Sequence, residues 1–272
     1  MMKKYEAAAG FVPKLTTTVM KALNPQPNDR ILDIGCGDGS LTLDIAKATA
    51  GGQVMGLDAS PSFINTALEL AMSTRVANCS FKVDNCAAFS EQTESAVLNG
   101  SWDKVFSNAA MHWIMHQNGA RMNVLRGAYA ALKPGGAFIF EMGGAGNVAE
   151  VQVAVIAALV EQGFSVKVAR EKLPWFFPDE QWMRDALQSV GFDVEQIELE
   201  YRPTKLTPKD DVGKGGLEGW VRFFGASFLE DLKQKDSVVA NICELLDSAI
   251  TREDGTQWLG YVRLRAIARK GA

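Results

Sequence analysis

The chain has 272 residues, 47% of them hydrophobic and 22% charged, with a formal net charge of −4. That balance excludes a mainly disordered polymer, and the acidic excess speaks against a general nucleic-acid or anionic-membrane surface. The length suits one large α/β domain with an insertion, or one domain plus a small cap, at about 100 to 200 residues per domain. Cys36, Cys79, Cys86 and Cys243 show no C-x-x-C spacing, and the start of the chain has no charged region followed by an apolar one. The expectation is a reduced, cytoplasmic protein. Its most apolar stretch, Val148 to Val160, is interrupted by Glu150 and Gln152 and falls short of the roughly 20 residues that span a bilayer.

In chain order, Tyr5 to Leu23 has a helical apolar pattern that stops at the proline-rich Asn24-Pro25-Gln26-Pro27-Asn28. An apolar strand follows, Arg30 to Ile34, then glycines at 35, 37 and 39, then a helix over Leu41 to Ala50. The second strand, Gln53 to Leu57, closes on Asp58, and Ser60-Pro61 caps a helix to about Met72. A third strand, Ser80 to Val83, closes on Asp84-Asn85. The fourth, Lys104 to Ser107, leads into Asn108-Ala109-Ala110-Met111-His112-Trp113. A helix from about Gly119 to Leu132 stops at Lys133-Pro134-Gly135-Gly136, and Ala137 to Met142 makes a fifth strand.

Such alternation predicts a doubly wound parallel sheet with ligands bound beyond the carboxyl ends of its strands, where Asp58, Asp84 and Asn108 fall. Further on come a helix from Val148 to Gln162, an aromatic loop over Leu173 to Pro178, a helix from Asp179 to Val190 and a strand from Phe192 to Tyr201. Two helical patterns, Leu217 to Leu232 and Ser237 to Thr251, precede a last strand over Trp258 to Arg269. The expected organisation is an N-terminal helical lid over 1–28, a Rossmann-like core over 29–202, a helical cap inserted at 203–256 and the last core strand at 257–272.

The glycine turn carries the chemistry. A dinucleotide fingerprint, G-x-G-x-x-G, needs its third glycine where this chain has Ser40, and it serves to seat a pyrophosphate on a helix N-terminus. An NAD-dependent dehydrogenase shares the strand, turn and helix, and the acid after the second strand, but lacks this departure. Asp33, Gly35, Gly37 and Gly39 instead spell D-x-G-x-G-x-G, which resembles the glycine loop of the class I S-adenosylmethionine (SAM) dependent methyltransferases. The likeness spans about Tyr5 to Lys270. Within the class, Phe106 to Trp113, Leu132 to Gly136, Trp175 to Pro178, Gly219-Trp220 and Tyr261 to Arg265 are similar to the trans-aconitate methyltransferase branch.

That resemblance implies a seven-stranded sheet whose last strand is antiparallel. It also implies SAM as cofactor, S-adenosylhomocysteine (SAH) as its product, and methyl transfer to a small molecule rather than to nucleic acid or a membrane. Gly35, Gly37 and Gly39 would pass close to the amino-acid and ribose portions of SAM, with Asp33 ordering the loop or meeting the methionyl ammonium. Asp58 would accept from both ribose hydroxyls and Asp84 from the adenine amino group. The Asn85 backbone would donate to the adenine ring, and Asn108 would sit where the methionyl end and the methyl donor meet.

His112 is the candidate general base or substrate contact, since imidazole titrates near neutral pH, with Trp113 a candidate substrate contact next to it; a packing role for His112 beside Trp113 is the alternative. His112 and His116, at i and i+4, have no third ligand, and no metal is expected. Tyr5 and Phe11 are either staple residues or a lid over the sulfonium. Trp220, Phe223 and Phe224 form a stripe suited to a core or to a pocket wall. Arg263, near the start of the antiparallel strand, is placed for a substrate carboxylate or for an internal ion pair. The expected reaction is O-methylation of a small molecule, perhaps a carboxylate. A SAM-binding protein that transfers no methyl group is the rival reading.

Overall fold

A computed structural model describes residues 17–89, 97–209 and 215–272, and its contacts group into two compact units. The larger unit takes the described part of Thr16–Ala145 with Phe176–Leu199 and Arg263–Ala272. It opens with helix α1 (Thr17–Leu23) and alternates β1 (Arg30–Ile34), α2 (Ser40–Ala48), β2 (Gln53–Asp58), α3 (Pro61–Thr74), β3 (Cys79–Val83) and β4 (Trp102–Asn108). A short helix α4 (Met111–Ile114), α5 (Asn118–Ala131) and β5 (Leu132–Gly143) follow.

Alternation with period two is what makes this sheet two-faced. Leu32, Ile34, Val105, Phe138 and Phe140 point into one apolar layer, while Ile31, Phe106 and Ile139 point into another with Val19 and Leu23 of α1 and Ile45 of α2. Within the described part of the expected lid, Val19 and Leu23 are thus buried against the sheet; Tyr5 and Phe11 lie outside the described residues.

The sheet has seven strands in the order β3-β2-β1-β4-β5-β9-β6. β1 to β5 pair in parallel, whereas β9 (Val262–Lys270) runs antiparallel to β5, with Gly143 opposite Arg263 and Glu141 opposite Arg265. The Rossmann-like, doubly wound fold with an antiparallel last strand is as expected. Helix α8 (Glu180–Val190), capped by Asp179, and strand β6 (Phe192–Tyr201) as far as Leu199 complete the larger unit.

The smaller unit takes Gly146–Trp175 and Glu200–Val262 together with Met1–Leu15, of which the last lie outside the described residues. It holds α6 (Ala149–Glu161), α7 (Val166–Glu171), β7 (Thr204–Lys205), α9 (Gly216–Phe224), α10 (Ala226–Leu229), α11 (Lys235–Ile250) and β8 (Trp258–Leu259). It is thus wider than an insertion at 203–256, because the apolar helix α6 packs on α11.

The expected single strand over Trp258 to Arg269 is also divided. Trp258 and Leu259 pair with Lys205 and Thr204 in a separate two-stranded sheet, and Tyr261 lies in neither strand. Two side chains hold the intervening segment: Glu150 accepts from the Gly260 N–H at 2.6 Å and Asn147 from the Val262 N–H at 2.9 Å. Among the described residues no helix is long and apolar enough to cross a membrane.

Candidate active site at the strand ends

The turn after β1 is tied to the end of β2. Gly35 and Cys36 both donate their N–H to the Leu57 carbonyl, at 2.8 and 2.9 Å, and the Gly37 N–H reaches Asp58 Oδ2 at 3.0 Å. The other Asp58 oxygen accepts from the Ser60 N–H at 2.8 Å, and the Asp58 carbonyl accepts from the Asp84 N–H at 3.0 Å. The ends of β1, β2 and β3 therefore form one stitched edge carrying Asp33, Asp58 and Asp84.

Gly35 and Gly37 have φ of 74° and 56°, in the left-handed region that glycine enters at no steric cost. Their surroundings differ. A Cβ at Gly35 would lie 2.2 Å from Ala110 Cβ, so its bare backbone lets the segment after β4 approach. At Gly37 a Cβ would meet no described atom within 4 Å, so among the described residues this glycine faces open space. Gly39, the third glycine, caps the N-terminus of α2 with φ 78°.

Asp33 is 3% exposed, and its Oδ2 accepts the Thr42 hydroxyl at 2.6 Å, which ties β1 to the first turn of α2. Burial pushes its carboxyl up to about 7, the Thr42 bond works against that shift, and the neighbouring Asp58 charge adds to it. Burial and the same two aspartates also push the Cys36 thiol up. The site is thus acidic and matched to a cation; a pyrophosphate would meet repulsion here. SAM carries a sulfonium and an ammonium, and the open face of Gly37 beside three carboxylates fits it.

Asp84 keeps Lys82 at 3.9 Å. The exposed Asn85 accepts from the Ala87 N–H at 3.2 Å and caps the short turn Cys86–Ala88. Asn108 ends β4 opposite Glu141, and the next residue, Ala109, has φ 55° while its N–H bonds to the Glu141 carbonyl at 2.8 Å. This left-handed step precedes Ala110 and the turn of helix that carries His112.

His112 is 7% exposed, flanked by Trp113 and Phe177 with ring centroids at 5.6 Å from each. Its Nδ1 accepts from the Gly143 N–H at 3.2 Å. Burial, and then the Arg263 charge, lower its pKa to about 3. A neutral imidazole has one N–H and one lone pair; with the lone pair on Nδ1 engaged, Nε2 carries the proton and donates. In this geometry the neutral ring presents Nε2 as a hydrogen-bond donor.

Arg263 is 4% exposed, and its Nε lies 3.8 Å from Oε1 of Glu141, which is 3% exposed. Glu141 Oε2 also takes Arg265 Nη1 at 2.9 Å, and Arg265 Nε reaches Glu198 at 2.9 Å. Reading the residues in order did not single out Glu141 or Thr42. The signal for Glu141 was present, a carboxylate inside the apolar run Ala137 to Met142, since a charge so placed needs a partner.

In the smaller unit Trp220 is buried, and its Nε1 donates to Tyr261 Oη at 2.8 Å. Its ring meets Phe224 at 4.8 Å and Trp175 at 6.1 Å, which makes it part of that unit's core.

A family profile described as a methyltransferase domain matches residues 25–182. An uncharacterized methyltransferase of Schizosaccharomyces pombe is 36% identical, over 98% of this chain and 96% of its own. The trans-aconitate 2-methyltransferase of Deinococcus radiodurans is 30% identical over 43% of this chain and 39% of its own. Among solved structures, a putative methyltransferase from Bacillus halodurans superposes with a TM-score of 0.64 at 14% identity, covering 95% of this chain and all of that one. The antiparallel β9 between β5 and β6 is absent from the 3-2-1-4-5-6 strand order of dinucleotide-binding folds.

Proposed function

Since the chain belongs to the class I SAM-dependent methyltransferases, we propose that it methylates an oxygen of a small acceptor that carries a carboxylate. Bound SAM supplies an electrophilic methyl carbon. The protein's share is then to hold the acceptor oxygen in line with that carbon and to keep water out.

The observation that carries this reading is the hydrogen bond from the Gly143 N–H to His112 Nδ1. It leaves His112 a proton to donate and none to accept, so a phenol, alcohol or ammonium finds no base there. A carboxylate is ionised at neutral pH, with a pKa near 4, and needs none. The similarity to a trans-aconitate methyltransferase, whose acceptor is a carboxylate, supports the same class. The four free cysteines support a reducing, cytoplasmic setting.

Incubation with SAM and a panel of carboxylic acids, phenols and amines, followed by mass spectrometry for SAH and methylated product, tests the proposal. Methyl esters are expected; methylation confined to phenols or amines would overturn it.

A further inference from the structure

Arg121, in the first turn of α5, joins two segments that lie far apart in the chain. Its Nε donates to the Met115 carbonyl at 3.1 Å, at the C-terminal cap of α4, and its guanidinium lies over the ring of Phe176, 3.6 Å from the centroid. Trp182 of α8 packs edge-on against the same ring, with centroids 4.8 Å apart. The Phe176 N–H in turn donates to the His112 carbonyl at 3.0 Å, and the Ala145 N–H donates to the Pro178 carbonyl at 2.8 Å. Phe177, between these two bonds, rests its ring 5.6 Å from that of His112. All of these residues belong to the larger unit.

We propose that Arg121 is a positioning residue: it clamps the segment Phe176 to Pro178 onto the turn of helix that carries His112, and so holds the imidazole where the Gly143 N–H engages Nδ1 and Nε2 keeps its proton for the acceptor. A guanidinium suits both tasks at once. Being planar, it lies flat on an aromatic face while its Nε–H points outward in the plane to a carbonyl. A lysine ammonium is a point charge on a flexible stem and makes one of these contacts at a time. Without the clamp the imidazole is free to turn away from Gly143, and a neutral ring that loses that bond exchanges its proton between its two nitrogens. The inference deepens the reading of His112 as a donor to the acceptor and rests on it.

The full chain allows a test without acceptor and a test with it. Its two histidines are His112 and His116, so nitrogen NMR spectra of isotope-labelled histidine, with His116→Gln for assignment, read the tautomer of His112 directly. A single tautomer protonated on Nε2 is expected in the unaltered protein at neutral pH, and a mixture in Arg121→Lys and in Phe176→Leu. In methyl transfer to whichever acid of the panel above gives most ester, Arg121→Lys is expected to lower kcat/KM about fivefold with SAM affinity unchanged. In a His112→Ala background the same substitution is expected to lower it no further, whereas a merely structural loss would add to the first.

A single Nε2-protonated tautomer in both variants, or an equal loss of kcat/KM with and without His112, would overturn the proposal. A kcat/KM untouched by His112→Ala would instead overturn the reading of His112 beneath it, and the tautomer spectra, taken without acceptor, keep the two failures apart.

Discussion

The Gly143 N–H, at the end of β5, donates to Nδ1 of His112 at 3.2 Å and thereby fixes which nitrogen of the imidazole carries the proton. A ring held this way, with a pKa lowered to about 3, does not titrate near neutrality. At saturating SAM, kcat is expected to show no step near pH 6.5 that belongs to His112. His112→Ala should lower kcat/KM about tenfold, the value of one hydrogen bond of roughly 1.4 kcal/mol, without changing the shape of the kcat profile. A unit-slope step near pH 6.5 that disappears in the variant would restore the base.

The two glycines of the turn should fail differently. Gly35→Ala drives a methyl group into Ala110, so its loss should be one of stability, about 2 to 3 kcal/mol by chemical denaturation. Gly37→Ala meets no described atom and should cost only about 1 kcal/mol of backbone strain while losing most of its affinity for SAM.

Glu141 stands between two buried guanidiniums, Arg263 and Arg265. Its removal leaves both inside the protein without their shared carboxylate, so Glu141→Ala should destabilise by about 3 to 5 kcal/mol. Urea titration measures this directly, and a loss below about 1 kcal/mol would show that water reaches the pair.

Stability against pH separates Asp33 from His112. The Asp33 carboxyl rises on folding from 3.8 to about 7; its contribution is complete below pH 3.8 and disappears as pH climbs to about 7. His112 falls from 6.5 to about 3, so its contribution is complete above pH 6.5 and disappears on acidification. Between 3.8 and 6.5 the two oppose each other. Ligand-free Asp33→Asn protein should therefore lose more stability than its parent between about pH 6.5 and pH 4, by up to about 1.4 kcal/mol per pH unit. Parallel curves for the two proteins would mean that Asp33 is ionised when folded.

What the sequence made legible is whatever local pattern encodes. Period-two apolar runs such as Ile31 to Ile34 located the strands, and with them the places of Asp58, which closes β2, and Asp84, which follows β3. The division at Gly260 was not legible: the bonds that hold it come from Glu150 and Asn147, more than 100 residues earlier. Pairs as short as Thr204–Lys205 and Trp258–Leu259 carry no period to read. The state of His112 was hidden for a similar reason, because its partner is a backbone N–H 31 residues away and side-chain identity says nothing about it. The grouping of α6 with the 200–262 segment likewise depends on packing against α11, which an apolar helix invites without naming its partner.

The most direct measurement is equilibrium dialysis of the purified protein with methyl-labelled SAM, alone and in competition. One saturable site is expected, displaced by SAH, untouched by NAD and lost in Gly37→Ala. No retained label, or its displacement by NAD, would contradict the adenosyl-sulfonium site on which the assignment stands.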